Sequence, residues 1–566
     1  FIVEALDWLV IGVFFLALIG IIVWVVRQKQ NDSADYFLGG RDATWLAIGA
    51  SIFASNIGSE HLIGLAGAGA SSGMAMAHWE IQGWMILILG WVFVPFYTRS
   101  MVYTMPEFLE RRYNPQSRTI LSVISLVSYV LTKVAVTVYA GGLVFQQVFG
   151  IKELWGIDFF WIAAIGLVVL TALYTIFGGM KSVLYTSVLQ TPILLLGSLI
   201  ILVLGFKELG GWDEMMRVCG AVTVNDYGDT MTNLIRSNDD ANFPWLGALI
   251  GSAIIGFWYW CTDQFIVQRV LSGKNEMEAR RGTIFGAYLK LLPVFLFLIP
   301  GMIAFALHQK YIGAGGEGFL PMLENGTANA DAAFPTLVAK LLPAGVKGLV
   351  VCGILAALMS SLASLFNSSA MLFTIDFYKR FRPQTSEKKL VGIGQVATVV
   401  IVILGILWIP IMRSVGDVLY TYLQDVQSVL APGIAAAFLL GICWKRTSAQ
   451  GGMWGLISGM VIGLTRLGAK VYYSNAGEVA DSTFKYLFYD MNWLFFCGWM
   501  FLFCIIVVIV VSLATEAPTA EKIQGLVFGT ATKEQKASTR ASWNHWDIIH
   551  TVIILAITGA FYWYFW

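Results

Sequence analysis

Charge is scarce in this chain: of 566 residues, 13% are Asp, Glu, Lys or Arg and 57% are hydrophobic, with a mean hydropathy of +0.72. Water-soluble domains carry roughly a quarter charged residues, so an ordinary soluble protein is excluded. The formal net charge of +1 leaves no surplus of either sign to attract nucleic acid or an acidic partner. Cysteine is sparse as well. Five of the six (Cys261, Cys352, Cys443, Cys497 and Cys504) lie in or at the edges of apolar spans, leaving Cys219 alone in a loop, and no disulfide framework follows. Heptads, low-complexity tracts and hydrophilic stretches long enough for a core of their own are missing too; the longest polar pieces are about 207–243, 309–341 and 515–545. One catalytic pattern is present, "GASSG" at 69–73 with His78 nearby. That pattern needs a strand-to-helix elbow facing water, whereas here it ends a glycine- and serine-rich membrane helix, so an enzyme is not expected.

What the chain does have is apolar spans of about 18 residues or more, each long enough for roughly 30 Å of hydrocarbon. About fourteen are expected, starting near residues 5, 44, 78, 119, 158, 183, 244, 280, 342, 391, 417, 451, 491 and 547. The first has Glu4 and Asp7 ahead of it and no small-residue cleavage site, so it reads as a helix and not a signal peptide. The chain opens on Phe1, as a trimmed chain would. Alternate loops are basic: "VVRQKQNDSADYFLGGRD", "FLERRYNPQSR", "EARRG", "YKRFRPQTSEKK" and "CWKRTSAQ" fall on one side if each span crosses once. The positive-inside rule makes that side the cytoplasm and puts both termini outside, in a cell (plasma or bacterial inner) membrane. The lone sequon Asn325-Gly326-Thr327 then faces outward, where a single match in a short loop is most often chance.

Two spans are irregular in a matching way. "SIFASNIGSEHLIGLAG" (51–67) and "GFWYWCTDQFIVQR" (256–269) hold their polar residues at mid-depth, five spans apart. An odd number of crossings gives opposite orientation, the mark of inverted repeats whose first helices are broken at the midplane. The expected division is therefore 1–43 (an extra helix and loop), 44–206 (repeat 1), 244–442 (repeat 2) and 443–566 (further helices). A broken helix frees backbone carbonyls that can hold a cation or polar solute when buried in protein.

Charged groups at mid-bilayer cost at least about 2.5–3.5 kcal/mol each and should face a partner or a wet cavity. Glu60, Glu80, Lys133, Asp263, Lys290 and Asp425 are the charged residues at issue. "AALMSSLAS" sets Ala357, Ser360, Ser361 and Ser364 on one helical face. Serines of membrane helices commonly bond back to the preceding turn, yet two adjacent hydroxyls beside the break at Ala54–Ile57 would also suit sodium, a hard ion that takes several oxygens. Trp258, Tyr259 and Trp260 precede Thr262, Asp263 and Gln264, and Gln424 follows Tyr420 by one turn. Rings beside hydrogen-bonding groups serve core packing, and they also match the apolar face and hydroxyl edge of a sugar.

At this point a resemblance enters. "DYFLGGR" (35–41), "TMPEFLERRY" (104–113), "YTIFGGMKSVLYT" (174–186), "YWCTDQFIVQR" (259–269), "LAALMSSLASLFNSS" (355–369) and "WKRTSAQGG" (444–452) are similar, in order and spacing, to motifs of the sodium/solute symporters, and within them the sodium/glucose cotransporters. The resemblance implies an all-α leucine-transporter-like fold of two inverted five-helix repeats working by alternating access. It implies a sodium site at the carbonyls of Ala54, Ile57 and Ala357 with the hydroxyls of Ser360 and Ser361. It also implies a hexose site at Asn56, His61, Glu80, Lys290 and Gln424, with Tyr259 as inner gate and Trp260 and Trp79 beside the sugar. Glucose or galactose import is the implied activity; inositol or another polyol, or a sugar sensor of the same fold, are the alternatives. The chain departs from the pattern at Ser187, where the glucose cotransporters usually carry aspartate, which favours one sodium per sugar over two. Gly256 and Gly83 stand where relatives can carry polar side chains and are expected to loosen selectivity.

Overall fold

The structure, a computed structural model, describes the backbone of residues 4–28, 32–58, 60–322, 326–415 and 417–566. Side chains at 60, 63, 130–132, 135–136, 140, 143, 147, 331, 408–415, 417–426, 471 and 474–475 fall outside the description. Gln424, Tyr420, Asp425, Glu60 and the sequon Asn325 therefore lie outside the described side chains.

Apart from a two-stranded hairpin (Glu153–Leu154 with Ile157–Asp158), the elements are helices. Nine among the described residues are long and apolar enough to cross a membrane. Of the expected starts, 5, 78, 119, 183, 280, 391, 417, 451 and 547 fall inside helices, whereas 44, 158, 244, 342 and 491 lie just ahead of the helices that begin at Trp45, Phe159, Trp245, Val346 and Trp493. Two expected spans, from 158 and 183, form one element, Phe159–Leu209, divided at Gly179, whose φ of 60° no helix adopts. Glycine is required there because the Tyr36 carbonyl oxygen sits inside the volume a Cβ would take.

Burial sorts the helices into centre and rim. Val346–Lys379 and Glu276–Gly313 are 89% and 83% buried over their most apolar stretch, against 22% for Ala5–Val26 and His545–Phe565. The central pair carries the serines and Lys290, so its polar groups are shielded from lipid. Close helix crossing is set by small residues, as is usual where lipid offers no hydrophobic drive for association: a Cβ at Gly301 would strike the Ala66 carbonyl, and one at Gly69 the Leu298 carbonyl. Gly301→Leu is expected to overpack this crossing and lower stability by about 1–3 kcal/mol or more, read as a loss of the folded fraction surviving detergent extraction.

The two ends of the molecule differ as the loop charges require. At one end the basic loops come together: Arg118 pairs with Glu110 (2.5 Å) and Asp376 (3.0 Å), Arg112 Nε donates to the Gly441 carbonyl (2.7 Å), and Arg446 to that of Thr515 (2.8 Å). Backbone bonds join Ala43 to Ser272 and Lys274 to Ala43 (both 3.0 Å). Asp32, Thr104, Asn114, Asn275 and Ser448 cap the helices that leave this end. At the other end Asp7 accepts from the amides of Gly345 (2.6 Å) and Gly348 (2.7 Å), and Leu234 donates to the Phe565 carbonyl (2.8 Å). Residues near both chain ends thus share the end opposite the basic loops.

Candidate functional site

Two helices fail at the same depth. Trp45–Asn56 stops at Ile57, which is extended (φ −80°, ψ 114°), and helix resumes at Glu60 in a wide turn. Its counterpart, Trp245–Gly256, widens through Phe257–Thr262, becomes extended at Asp263 (φ −83°, ψ 132°) and resumes as Gln264–Leu271. Polar side chains inside apolar runs mark both interruptions, because only where the backbone leaves the helix can those groups share its unused donors and acceptors.

Between the breaks lies a cavity of about 640 Å³, a size suited to a small solute. Asn56, His61, Glu80 and Lys290 line it, as do Trp79, Tyr259 and Trp260. Of the expected solute-binding group, Gln424 alone is outside the described side chains.

Glu80 is the hub. Its Oε2 accepts from Lys290 Nζ at 2.9 Å and from His61 Nε2 at 3.1 Å, and the Lys290 side chain is only 3% exposed. Lys290 also lies 5.2 Å from the centre of the Trp260 ring, a cation–π contact. In the neutral form, with its Nε2 hydrogen spent on Glu80, His61 presents Nδ1 as an acceptor. That atom is buried and unpartnered among the described residues, and so is the Nδ2 donor of Asn56. One unpartnered atom therefore lies on each of two residues that line the same cavity, both atoms being themselves covered. Buried polar groups are rarely left unpaired, and a hydroxyl can satisfy either kind.

Below these groups the floor is an ion pair that sequence spacing did not reveal. Lys133 Nζ lies 3.0 Å from Asp263 Oδ2, Tyr129 donates its hydroxyl to the same carboxylate, and the Phe265 amide donates to Tyr129 (3.1 Å). Lys133 sits 5.1 Å from the Tyr259 ring centre, so the ring expected to act as inner gate rests on this pair. At the mouth, Trp79 stacks on Trp493 (5.6 Å, 14°) and meets Phe243 edge-on (5.8 Å). Phe243 is placed by Asp240, which accepts from its amide (2.8 Å). Burial pushes Asp240 up, but the Asn225 amide and the backbone N–H groups of Phe243 and Asn242 outweigh it, holding the carboxyl below its ordinary range.

The serine helix touches the first break beside the cavity. Ser361 donates to the Ser55 carbonyl (2.8 Å), and the hydroxyls of Ser55 and Ser364 lie 2.5 Å apart. Ala54, Ile57 and Ala357 are buried there. Ser360 turns the other way and donates to the Gln190 side chain.

The pattern of the sodium:solute symporter family matches residues 36–459. The chain belongs to that family. Over 541 residues it is 37% identical to the sodium/myo-inositol cotransporter 2 of Homo sapiens, which covers 93% of this chain and 79% of the relative. It is 36% identical over 562 residues to sodium/glucose cotransporter 4 of Danio rerio, covering 96% and 84%. Among solved structures, a sodium-coupled sialic acid symporter in a substrate-bound, outward-open state superposes with a TM-score of 0.72 at 22% identity, covering 91% of this chain and 99% of the other. MhsT in complex with L-phenylalanine gives 0.50 at 13%, covering 84% and 99%. The fold is leucine-transporter-like, as the sequence motifs implied. This is a multi-pass sodium-coupled symporter of the sodium/glucose and sodium/inositol group, and sodium is carried as a co-substrate.

The symporter is not an enzyme. "GASSG" ends in helix and turn, with Ser71 bonded back to the Gly67 carbonyl (2.9 Å), and His78 is engaged by Tyr562 and the Leu234 carbonyl (3.0 Å each). Of the two glycines expected to loosen selectivity, Gly256 lines the cavity. A Cβ at Gly256 would collide with Gln82, whose amide donates to the Ser252 carbonyl (2.8 Å) and accepts from Trp260 Nε1 (3.2 Å). Gly256 thus makes room for the residue that orients Trp260. Gly83 faces the Ala287 carbonyl, not the cavity. Gln82 and Lys133 were the lining residues the sequence left without a role. Ser187, in place of the family's aspartate, bonds back to the Val183 carbonyl (2.7 Å).

Proposed function

We propose that the symporter imports a hexose, glucose or galactose, against its gradient, with one sodium per sugar and by alternating access across the cell membrane. The carrying observation is the cavity that Asn56, His61, Glu80 and Lys290 line together with Tyr259 and Trp260, with Glu80 and Lys290 charge-paired. Amide, imidazole, carboxylate and ammonium between them donate to and accept from hydroxyls, and the indole and phenol rings cover the sugar's apolar face. Gln424 completes this set in the resemblance.

Sodium binds at the break, to the carbonyls of Ala54, Ile57 and Ala357 and the hydroxyls of Ser360 and Ser361. The Ser361–Ser55 bond supports this, because it already ties the serine helix to the broken one. Filling the ion site stiffens that tie and completes the sugar site; closure of Trp79, Trp493 and Phe243 over the sugar follows, and the floor then opens. The clustering of basic loops at one end supports a cytoplasmic assignment for that end, with both chain ends outside. Ser187 supports a single ion, since its hydroxyl is already bonded back within its helix. One charge crossing about 100 mV gains roughly 2.3 kcal/mol, and a tenfold sodium gradient about 1.4 more. Together these support accumulation of several hundredfold (~500), so one ion is sufficient.

A second reading is favoured by the relatives: the human protein at 37% identity is named for myo-inositol, a ring of similar size bearing only hydroxyls. Uptake of labelled glucose, galactose and myo-inositol into liposomes under an inward sodium gradient, with potassium as control, decides. Sodium-dependent concentration of a hexose is expected. Concentration of inositol alone replaces the substrate while keeping the mechanism; binding without concentration makes the protein a sensor.

A further inference from the structure

A second cavity, of about 390 Å³, opens at the basic end, where the connection 515–544 folds back under the bundle. This connection is an ordered strap. Thr530 donates to the Ile523 carbonyl (2.8 Å) and accepts from the Gly525 amide (3.1 Å), closing a turn. Phe528 meets Phe96 edge-on at 5.1 Å, and its amide donates to the Ile442 carbonyl (3.0 Å). Helix Lys533–Ala541 follows, opened by a capping box between Thr532 and Gln535, and it buries no residue. Apolar burial therefore does not hold this helix in place. A polar tie does, Arg99 Nη2 donating to Thr539 (2.7 Å), while earlier in the strap Lys522 Nζ donates to the Glu110 carbonyl (3.3 Å).

The strap roofs a cavity whose walls carry Arg99, Arg111 and Lys522 against one carboxylate, Glu521, with the amide side chains of Gln524 and Gln535 between them. Arg99 Nε is buried there and unpartnered among the described residues. Outside, Lys533, Lys536 and Arg540 recur at three- and four-residue intervals, so they share one exposed face of the helix and add a positive field at the entrance. Met101, 54% exposed, and Trp546, 57% exposed, flank the strap. Exposed apolar and indole groups next to clustered cations are typical of the level where hydrocarbon gives way to headgroups.

We propose that this cavity binds a phosphate group, carried by an anionic lipid headgroup or free in solution. Arginine forks and an ammonium with spare N–H donors match the several acceptor oxygens of phosphate. Even counting Glu107, which pairs with Arg111 (3.4 Å), the cations outnumber the carboxylates, which disfavours a metal ion. A bound phosphate draws Arg99, Arg111 and Lys522 together, and with them the strap, the end of Gly73–Ser100 and the helix Met105–Arg112, so occupancy stiffens the basic end. This site is independent of the sugar and sodium groups.

The test is thermal unfolding of the full chain in detergent with four additions: phosphatidylglycerol, diacylglycerol of the same chains, inorganic phosphate, and chloride at matched ionic strength. The melting temperature is expected to rise with phosphatidylglycerol and not with diacylglycerol; a rise with inorganic phosphate over chloride instead assigns the site to a soluble phosphate. Arg111→Gln and Lys522→Gln weaken the response. Because Lys522 also holds the strap and Arg111 also ties Ser100 and Glu107, Gln524→Glu and Gln524→Lys are the deciding pair, since Gln524 makes none of these ties. The glutamate is expected to raise the half-effective concentration by about tenfold or more and the lysine to lower it, as one charge near contact distance does. No rise with either phosphate source overturns the proposal. So does a response that Gln524→Glu leaves intact, or one lost only in Lys533→Gln/Lys536→Gln, which places the effect on the exposed helix face.

Discussion

Glu80→Ala is expected to abolish sodium-driven uptake and to destabilise the symporter by about 3–5 kcal/mol, the cost of stranding one member of a buried ion pair. Both partners of Glu80 share a single oxygen, Oε2, and the Lys290 side chain is almost wholly enclosed. Without the carboxylate the ammonium faces the Trp260 ring alone, and His61 loses the acceptor that sets its tautomer. Stability and function can be separated by a second variant, Glu80→Leu with Lys290→Met. Removing both charges deletes the unpaired ion, and such replacements are often neutral or stabilising, so its melting temperature should return toward wild type while uptake stays absent. Restored uptake in the double variant would show that the pair only supports the fold.

Ser361→Ala is expected to raise the half-saturating sodium concentration roughly 10- to 100-fold, the value of one hydroxyl oxygen bonded to a charge. Solute affinity at saturating sodium should change far less. Ser360→Ala is the informative partner, because its hydroxyl rests on Gln190 and not on the broken helix. If both variants weaken sodium alike, Ser360 must turn away from Gln190 when the ion arrives; if only Ser361→Ala does, the ion is held without Ser360. Sodium dependence of initial uptake rates distinguishes them, and an unchanged dependence in both variants would move the ion to a different place altogether.

The helix breaks were legible because an apolar run that holds Ser55, Asn56 and His61 cannot be an ordinary span. The same logic located Glu80 and Lys290, since lone charges in a membrane demand an explanation. What the sequence hid was partnership. Lys133 and Asp263 are 130 residues apart and neither lies in a pattern naming the other; only the fold brings them to 3.0 Å. Gln82 was overshadowed by its neighbour Glu80, although its two hydrogen bonds fix the indole over the cavity. The neighbours of Gly256 and Gly83 were hidden as well: a Cβ would meet the Gln82 side chain at the first and the Ala287 carbonyl at the second. The strap at 515–544 gave no signal either, because a polar helix with no apolar stripe is indistinguishable from a loop by periodicity.

The four charges around the central cavity have a bearing on the half of the cycle in which nothing is carried. Glu80 and Asp263 are matched by Lys290 and Lys133, each pair in direct contact, so their formal charges cancel. A carrier that has released its cargo must swing back through the electric field of the resting membrane. An unbalanced carboxylate at that depth would make the return stroke an electrical step, resisted or driven by the field. With the charges matched, these groups contribute no net displacement current, and the return is a mechanical rearrangement whose rate depends on packing. Turnover at low external sodium would then be limited by how readily Tyr259 and the Lys133–Asp263 pair re-form their contacts.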